Sequence, residues 1–243
     1  MKFDRETRES RPHQQMAARA AWAPIPAWRS RGYLPHCDEA GFVQFITFRL
    51  SDSVPANLIS EWRRELKIIP GLSSYDSRKI ELSQRLDKYE DACRGGCMLR
   101  NPQIAEIAQN TLLFFDCERY RLLEWCIMPN HVHVLILPIN GHLIANIVHS
   151  WKSYTANTVK KLFNLAGPFW AREYHDRFIR NELHLEAVAN YIHQNPVSAG
   201  LVRNAEDWLW SSVRRNAGTG SAGVPAGGDW ERRRPCRRKA ADA

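Results

Sequence analysis

The sequence predicts an α+β fold, a two-layer sandwich of helices packed on a mainly antiparallel central sheet. Three observations predict it. Strand-like and helix-like runs come in mixed order along the chain. The run Tyr120 to Ile127 leads through a tight Met-Pro-Asn connection into the apolar run Val132 to Leu137. Finally, 243 residues with 44% hydrophobic content suffice for one well-buried domain of roughly 200 residues plus tails.

Taken in order, residues 1–30 are polar and irregular, with Pro24 and Pro26, and read as a loose arm. Residues 42–50 (FVQFITFRL) are dense in aromatic and β-branched side chains and predict a strand. Residues 56–67 and 77–92 read as helices. After a Cys/Gly-containing loop, Asn101-Pro102 opens a further helix to Phe115, with the proline in its first turn. The strands 120–127 and 132–137 follow, the second bounded by Pro-Asn before and Pro after. Residues 143–163 predict a long helix whose apolar stripe runs Ile144, Ile147, Trp151, Tyr154, Thr158, Leu162. Residues 174–180 read as a short extended segment, and 183–195 as a helix stopped by Pro196. From Asn216 the chain turns to Gly, Ala, Pro and Arg without period, a composition that predicts disorder. The expected organisation is an arm (1–30), one domain (31–213) and a basic tail (214–243).

No apolar run approaches the roughly 18 residues that a membrane span needs, and the N-terminus lacks a signal-peptide core. The reading is a cytoplasmic protein with no membrane partner and with its six scattered cysteines reduced. Cys93-Arg-Gly-Gly-Cys97 resembles half a zinc site, but no second pair of suitable spacing accompanies it. A net charge of +8 favours a polyanionic partner without choosing among DNA, RNA and a membrane surface.

Two constellations carry candidate chemistry. His131 and His133 head an apolar strand, and alternation along a strand sends both imidazoles to one face, where they can reach one ion. Core or surface histidines would produce the same pattern. On the helix 183–195, the residues Leu185, Val188, Ala189 and Ile192 form the core stripe at about 100° per residue. Tyr191 and Asn195, four apart, stack at its flank and can look into a cleft. A half-buried aromatic and a helix C-cap would explain the same two residues. His193 points away from the stripe, towards solvent, while His184 lies on the tyrosine's side as an accessory group. Tyr154 is in register with the core of its own helix.

Here the chain resembles a known family, the REP-associated tyrosine transposases. Met-Pro-Asn-His131-Val132-His133 looks like their HUH metal motif. The segment Trp170 to Arg180 is similar to their stretch before the catalytic helix, and Tyr191 to Val202 to their tyrosine helix and its exit turn. Arg31 to His36 and Trp208 to Ser212 match their ends, so the resemblance covers about residues 30–213. It implies an HUH endonuclease-like fold of ferredoxin/RRM-like topology. It also implies Tyr191 as nucleophile, with His131, His133 and Asn195 as ligands of Mg²⁺ or Mn²⁺. The implied activity is cutting and joining single-stranded DNA at palindromic hairpins through a 5′-phosphotyrosine. A hairpin-binding regulator without strand transfer is the alternative.

The expected partner is single-stranded or hairpin DNA, bound by a monomer or homodimer. Lys152, Arg172, Arg177 and Arg180 are candidates for holding phosphates, with Trp170 as a base-stacking platform. Solvated surface charges would explain the same basic residues.

Overall fold

In the computed structural model, residues 28–30, 35–37, 41–69 and 75–217 are described. Residues 1–27 of the expected arm and 218–243 of the expected tail, and the Arg31 to Leu34 part of the family-like segment, lie outside them. Two short strands, β1 (Trp28–Ser30) and β2 (Pro35–Cys37), pair with each other. Then come β3 (Gln44–Leu50), α1 (Ala56–Ile68), α2 (Tyr75–Asp91), α3 (Pro102–Phe114), β4 (Tyr120–Ile127) and β5 (His131–Pro138). The chain continues with α4 (Ile144–Phe163), β6 (Trp170–Phe178), α5 (Glu182–Ser198) and α6 (Ser212–Ala217).

The main sheet has the order β4-β5-β3-β6, and every pairing in it is antiparallel. This is the ferredoxin-like arrangement: the first strand of the unit is central and the hairpin β4–β5 lies to one side of it. Pleating sorts the strands' side chains. Ile46, Phe48, Val132, Val134 and Ile136 go to one face, where they meet Ile104, Leu112, Ile147, Val148 and Trp151 of α3 and α4 in the largest core cluster. Phe45 and Leu135 go to the other, against Val188 and Ile192 of α5. The sheet with α3 and α4 forms the expected sandwich, and α5 with the end of α2 covers the opposite face.

Local chemistry sets the boundaries. Asn101 caps α3 by accepting from the Gln103 amide, with Pro102 in the first turn, as its sequence predicts. The C-terminal end of the β4 edge is covered by residues 208–212: the Ile127 amide donates to the Trp210 carbonyl, and the Trp208 indole donates to the Ile127 carbonyl. Covering an edge in this way blocks pairing with another chain.

Four expectations are corrected. Helix α5 does not stop before Pro196 but runs to Ser198. Proline so near the end costs one amide bond, and the Ala199 and Leu201 amides still satisfy the Asn195 and Pro196 carbonyls. β6 begins at Trp170, four residues before the expected extended segment, because Trp170 pairs with Leu50 beyond a register shift. The buried stripe of α4 is Ile144, Ile147, Val148, Trp151, Thr155, Val159. Tyr154 is therefore 60% exposed, and Leu162 also faces out. Cys93, Cys97 and Cys126 are free thiols as expected, but Cys117 is disulfide-bonded.

Candidate functional site

The site lies on the α5 face of the sheet, at the start of β5. His131 and His133 are fully buried and their Nε2 atoms are 2.9 Å apart, so the alternation argument holds. Each ring is oriented from behind. The Asn130 amide nitrogen donates to the Arg94 carbonyl, which leaves its Oδ1 to accept from His131 Nδ1 at 2.7 Å. His131 Nε2 is thereby left with its lone pair facing inward. Thr47 on the neighbouring strand meets His133 Nδ1 at 2.9 Å, and Phe45 stacks on the His133 ring. Burial, then the nearby His133, pushes the His131 pKa down to about 4, so its imidazole is neutral and ready to ligate at pH 7.

Helix α5 brings Tyr191 and Asn195 over this pair, one turn apart as their spacing predicts. The Tyr191 ring packs edge-on against Phe45 and His133. Asn195 is buried inside the helix, not at its cap, and its amide nitrogen lies 3.2 Å from His133 Nε2.

Sequence reasoning missed Asp91, the last residue of α2. Its Oδ1 lies 3.5 Å from Nε2 of both histidines and accepts from the Asn195 amide at 2.8 Å. Its Oδ2 accepts from the Tyr191 hydroxyl at 2.8 Å. Asp91, His131 and His133 form a group able to hold a metal ion. Burial opposes ionisation of Asp91, but its close approach to the two histidines holds its carboxyl well below the ordinary range. Burial and the Asp91 charge push the Tyr191 phenol well above its usual value. The signal available for Asp91 was thin: an acid ending a helix just before Cys93-Arg-Gly-Gly-Cys97.

The other candidates are dispersed. Lys152 is tied down: its ammonium donates to the carbonyls of Ala171 and Arg172, fastening α4 to β6, and burial lowers its pKa to about 8. Trp170 is 7% exposed, packed edge-on against Phe48 and Phe169, and offers no face to a base in this conformation. Arg172 and Arg180 are exposed and Arg177 is half-buried. Arg177 and Arg180 gather near His184 at the start of α5, and His184 touches the Arg180 amide rather than the tyrosine. His193 is not solvated but paired with Glu124 of β4 at 2.9 Å.

Known proteins provide an independent comparison. Residues 100–195 match the family described as "Transposase IS200 like". A Haemophilus influenzae protein provisionally named a REP-associated tyrosine transposase is 31% identical over 112 residues, 41% of this chain. The match spans 64% of that relative's length. A solved structure of a REP-associated tyrosine transposase bound to a REP hairpin aligns with a TM-score of 0.49 at 16% identity, covering 85% of this chain and 93% of that one. His131, His133, Tyr191 and Asn195 fall inside the matched family segment; Asp91 lies before it.

Proposed function

We propose, from a chain whose residues 100–195 match the IS200-like transposase family, that this protein nicks and rejoins single-stranded DNA at palindromic hairpins. A divalent metal and a Tyr191–DNA intermediate serve the reaction. The observation that carries this reading is the position of Tyr191, whose ring packs 5.2 Å from that of His133 beside the paired imidazoles.

A phenol is a poor nucleophile at neutral pH, and burial makes this one poorer still. The donor set fits a divalent ion: two oriented imidazoles with a carboxylate between them. Bound there, Mg²⁺ or Mn²⁺ would supply charge stabilisation to the scissile phosphate. The protein's own part is positioning, the main contribution of an enzyme to phosphoryl transfer. Helix α5 presents the phenolic oxygen from a rigid backbone, and Asn130 and Thr47 fix the two rings.

In the cleavage step Tyr191 loses its hydroxyl proton and its oxygen bonds the phosphorus. The bond to the 3′-oxygen breaks, and that oxygen takes up a proton as a free 3′-hydroxyl. One phosphodiester replaces another, so reversal rejoins strands without a nucleotide triphosphate. Arg172, Arg177 and Arg180 are the phosphate contacts of this reading, from β6 and the turn leading into α5.

The test is a strand-cleavage assay on a hairpin with single-stranded flanks, against a perfect duplex of the same sequence. Cleavage of the hairpin alone, dependent on added Mg²⁺ or Mn²⁺ after chelation, supports the proposal. Selective hairpin binding with no cleavage in either metal overturns it in favour of a regulatory hairpin-binding protein.

A further inference from the structure

We infer that Asp91 couples the metal site to the nucleophile: its Oδ1 completes the ligand set of His131 and His133, while its Oδ2 holds the Tyr191 hydroxyl. The inference rests on the metal-dependent, tyrosine-centred reading above and adds a residue that lies outside the matched family segment.

The two oxygens of one carboxylate are divided between two jobs. Oδ1 is equidistant, at 3.5 Å, from the two imidazole nitrogens, which are themselves 2.9 Å apart. At 3.5 Å these contacts are beyond good hydrogen-bond range. They are close to the edges of about 3 Å that separate neighbouring ligands when bonds to the ion are about 2.1 Å. Oδ2 is turned to the phenol at 2.8 Å.

Asn195, implied as a ligand by the family resemblance, donates one amide hydrogen to Asp91 Oδ1 and so orients the carboxylate. Its own Oδ1 is buried with no hydrogen-bond partner among the described residues. With Asp91 included, the donor set carries a charge of −1, a better match to a divalent cation than two imidazoles and an amide alone.

The fold also explains how a residue so distant in sequence is held there. Just after Asp91, the chain turns through Gly95, at φ +79°, where a Cβ would lie 2.5 Å from the Asp52 carbonyl. At Gly96 a Cβ would collide with the Asp52 carboxylate. The loop is thus clamped against residues 52–53. From it, the Arg94 carbonyl holds Asn130, which in turn orients His131. One loop therefore places the carboxylate and steadies an imidazole.

The coupling is tested on the full chain without DNA, by titrating Mn²⁺ and following free Mn²⁺ by electron paramagnetic resonance. Asp91→Asn, nearly isosteric, should weaken Mn²⁺ binding about ten-fold or more. Tyr191→Phe, which frees Oδ2, should tighten it by about two- to five-fold, and should have no effect in the Asp91→Asn background. Wild-type affinity in Asp91→Asn overturns the inference, as does a Tyr191→Phe effect that is the same in both backgrounds. A His131→Ala/His133→Ala variant separates the two levels. Unchanged Mn²⁺ binding there refutes the metal site itself, whereas lost binding there beside unchanged Asp91→Asn refutes only the part given to Asp91.

Discussion

His131 and His133 face each other Nε2 to Nε2 across 2.9 Å. With Asn130 accepting from His131 Nδ1, the His131 Nε2 atom presents a lone pair. Replacing either histidine with alanine should abolish cleavage of a hairpin substrate. Hairpin affinity should stay within about three-fold, because phosphate contacts carry much of it. Cleavage rates and binding isotherms on the same substrate check both halves.

The basic residues before α5 should act through charge. Replacing Arg172, Arg177 and Arg180 together with glutamine should weaken hairpin binding. It should also flatten the dependence of log affinity on log salt, by about 0.7 for each single-strand phosphate that is no longer neutralised. Trp170→Ala should act differently, costing about 3–5 kcal/mol of stability through the cavity it leaves. Binding across a salt series and denaturant unfolding distinguish the two effects.

Lys152 gives a pH signature. Its folded pKa of about 8 lies below the ordinary lysine value of 10.5. Between these values the unfolded chain binds more protons, so the Lys152 contribution to stability rises with pH and is lost as pH falls towards 8. Wild type should therefore gain about 1–3 kcal/mol relative to Lys152→Met between pH 8 and pH 10.5. Urea unfolding of both proteins across that range measures it.

A buried relay supports the other face of the sheet. The Trp151 indole donates to the Tyr120 hydroxyl, which donates to the Leu112 carbonyl. Tyr120→Phe strands a donor and an acceptor and should cost about 1–3 kcal/mol, read from the unfolding midpoint. Tyr154→Phe, on the exposed side of α4, should leave stability unchanged.

The sequence revealed the site where local periodicity governs and concealed it where tertiary packing does. Alternation along β5 sent both histidines to one face, and the four-residue spacing on α5 kept Tyr191 with Asn195. β4 begins and ends where its composition predicts. Asp91 escaped because its partners are distant in sequence and no spacing rule connects them. Pro196 read as a stop, since a local rule does not show that neighbouring carbonyls will find other donors. Lys152 and Trp170 looked available because sequence shows chemical type but not burial. His193 looked solvated because nothing local predicts Glu124 on a facing strand.

In the proposed reaction Tyr191 becomes joined to DNA. Protein incubated with a flanked hairpin and Mn²⁺, denatured and digested, should yield a peptide containing Tyr191 that carries a 5′-phosphonucleotide in its mass spectrum. Tyr191→Phe should give none, while Tyr154→Phe should give the wild-type yield. A modified peptide that maps to another tyrosine, or an adduct that persists in Tyr191→Phe, would contradict the account.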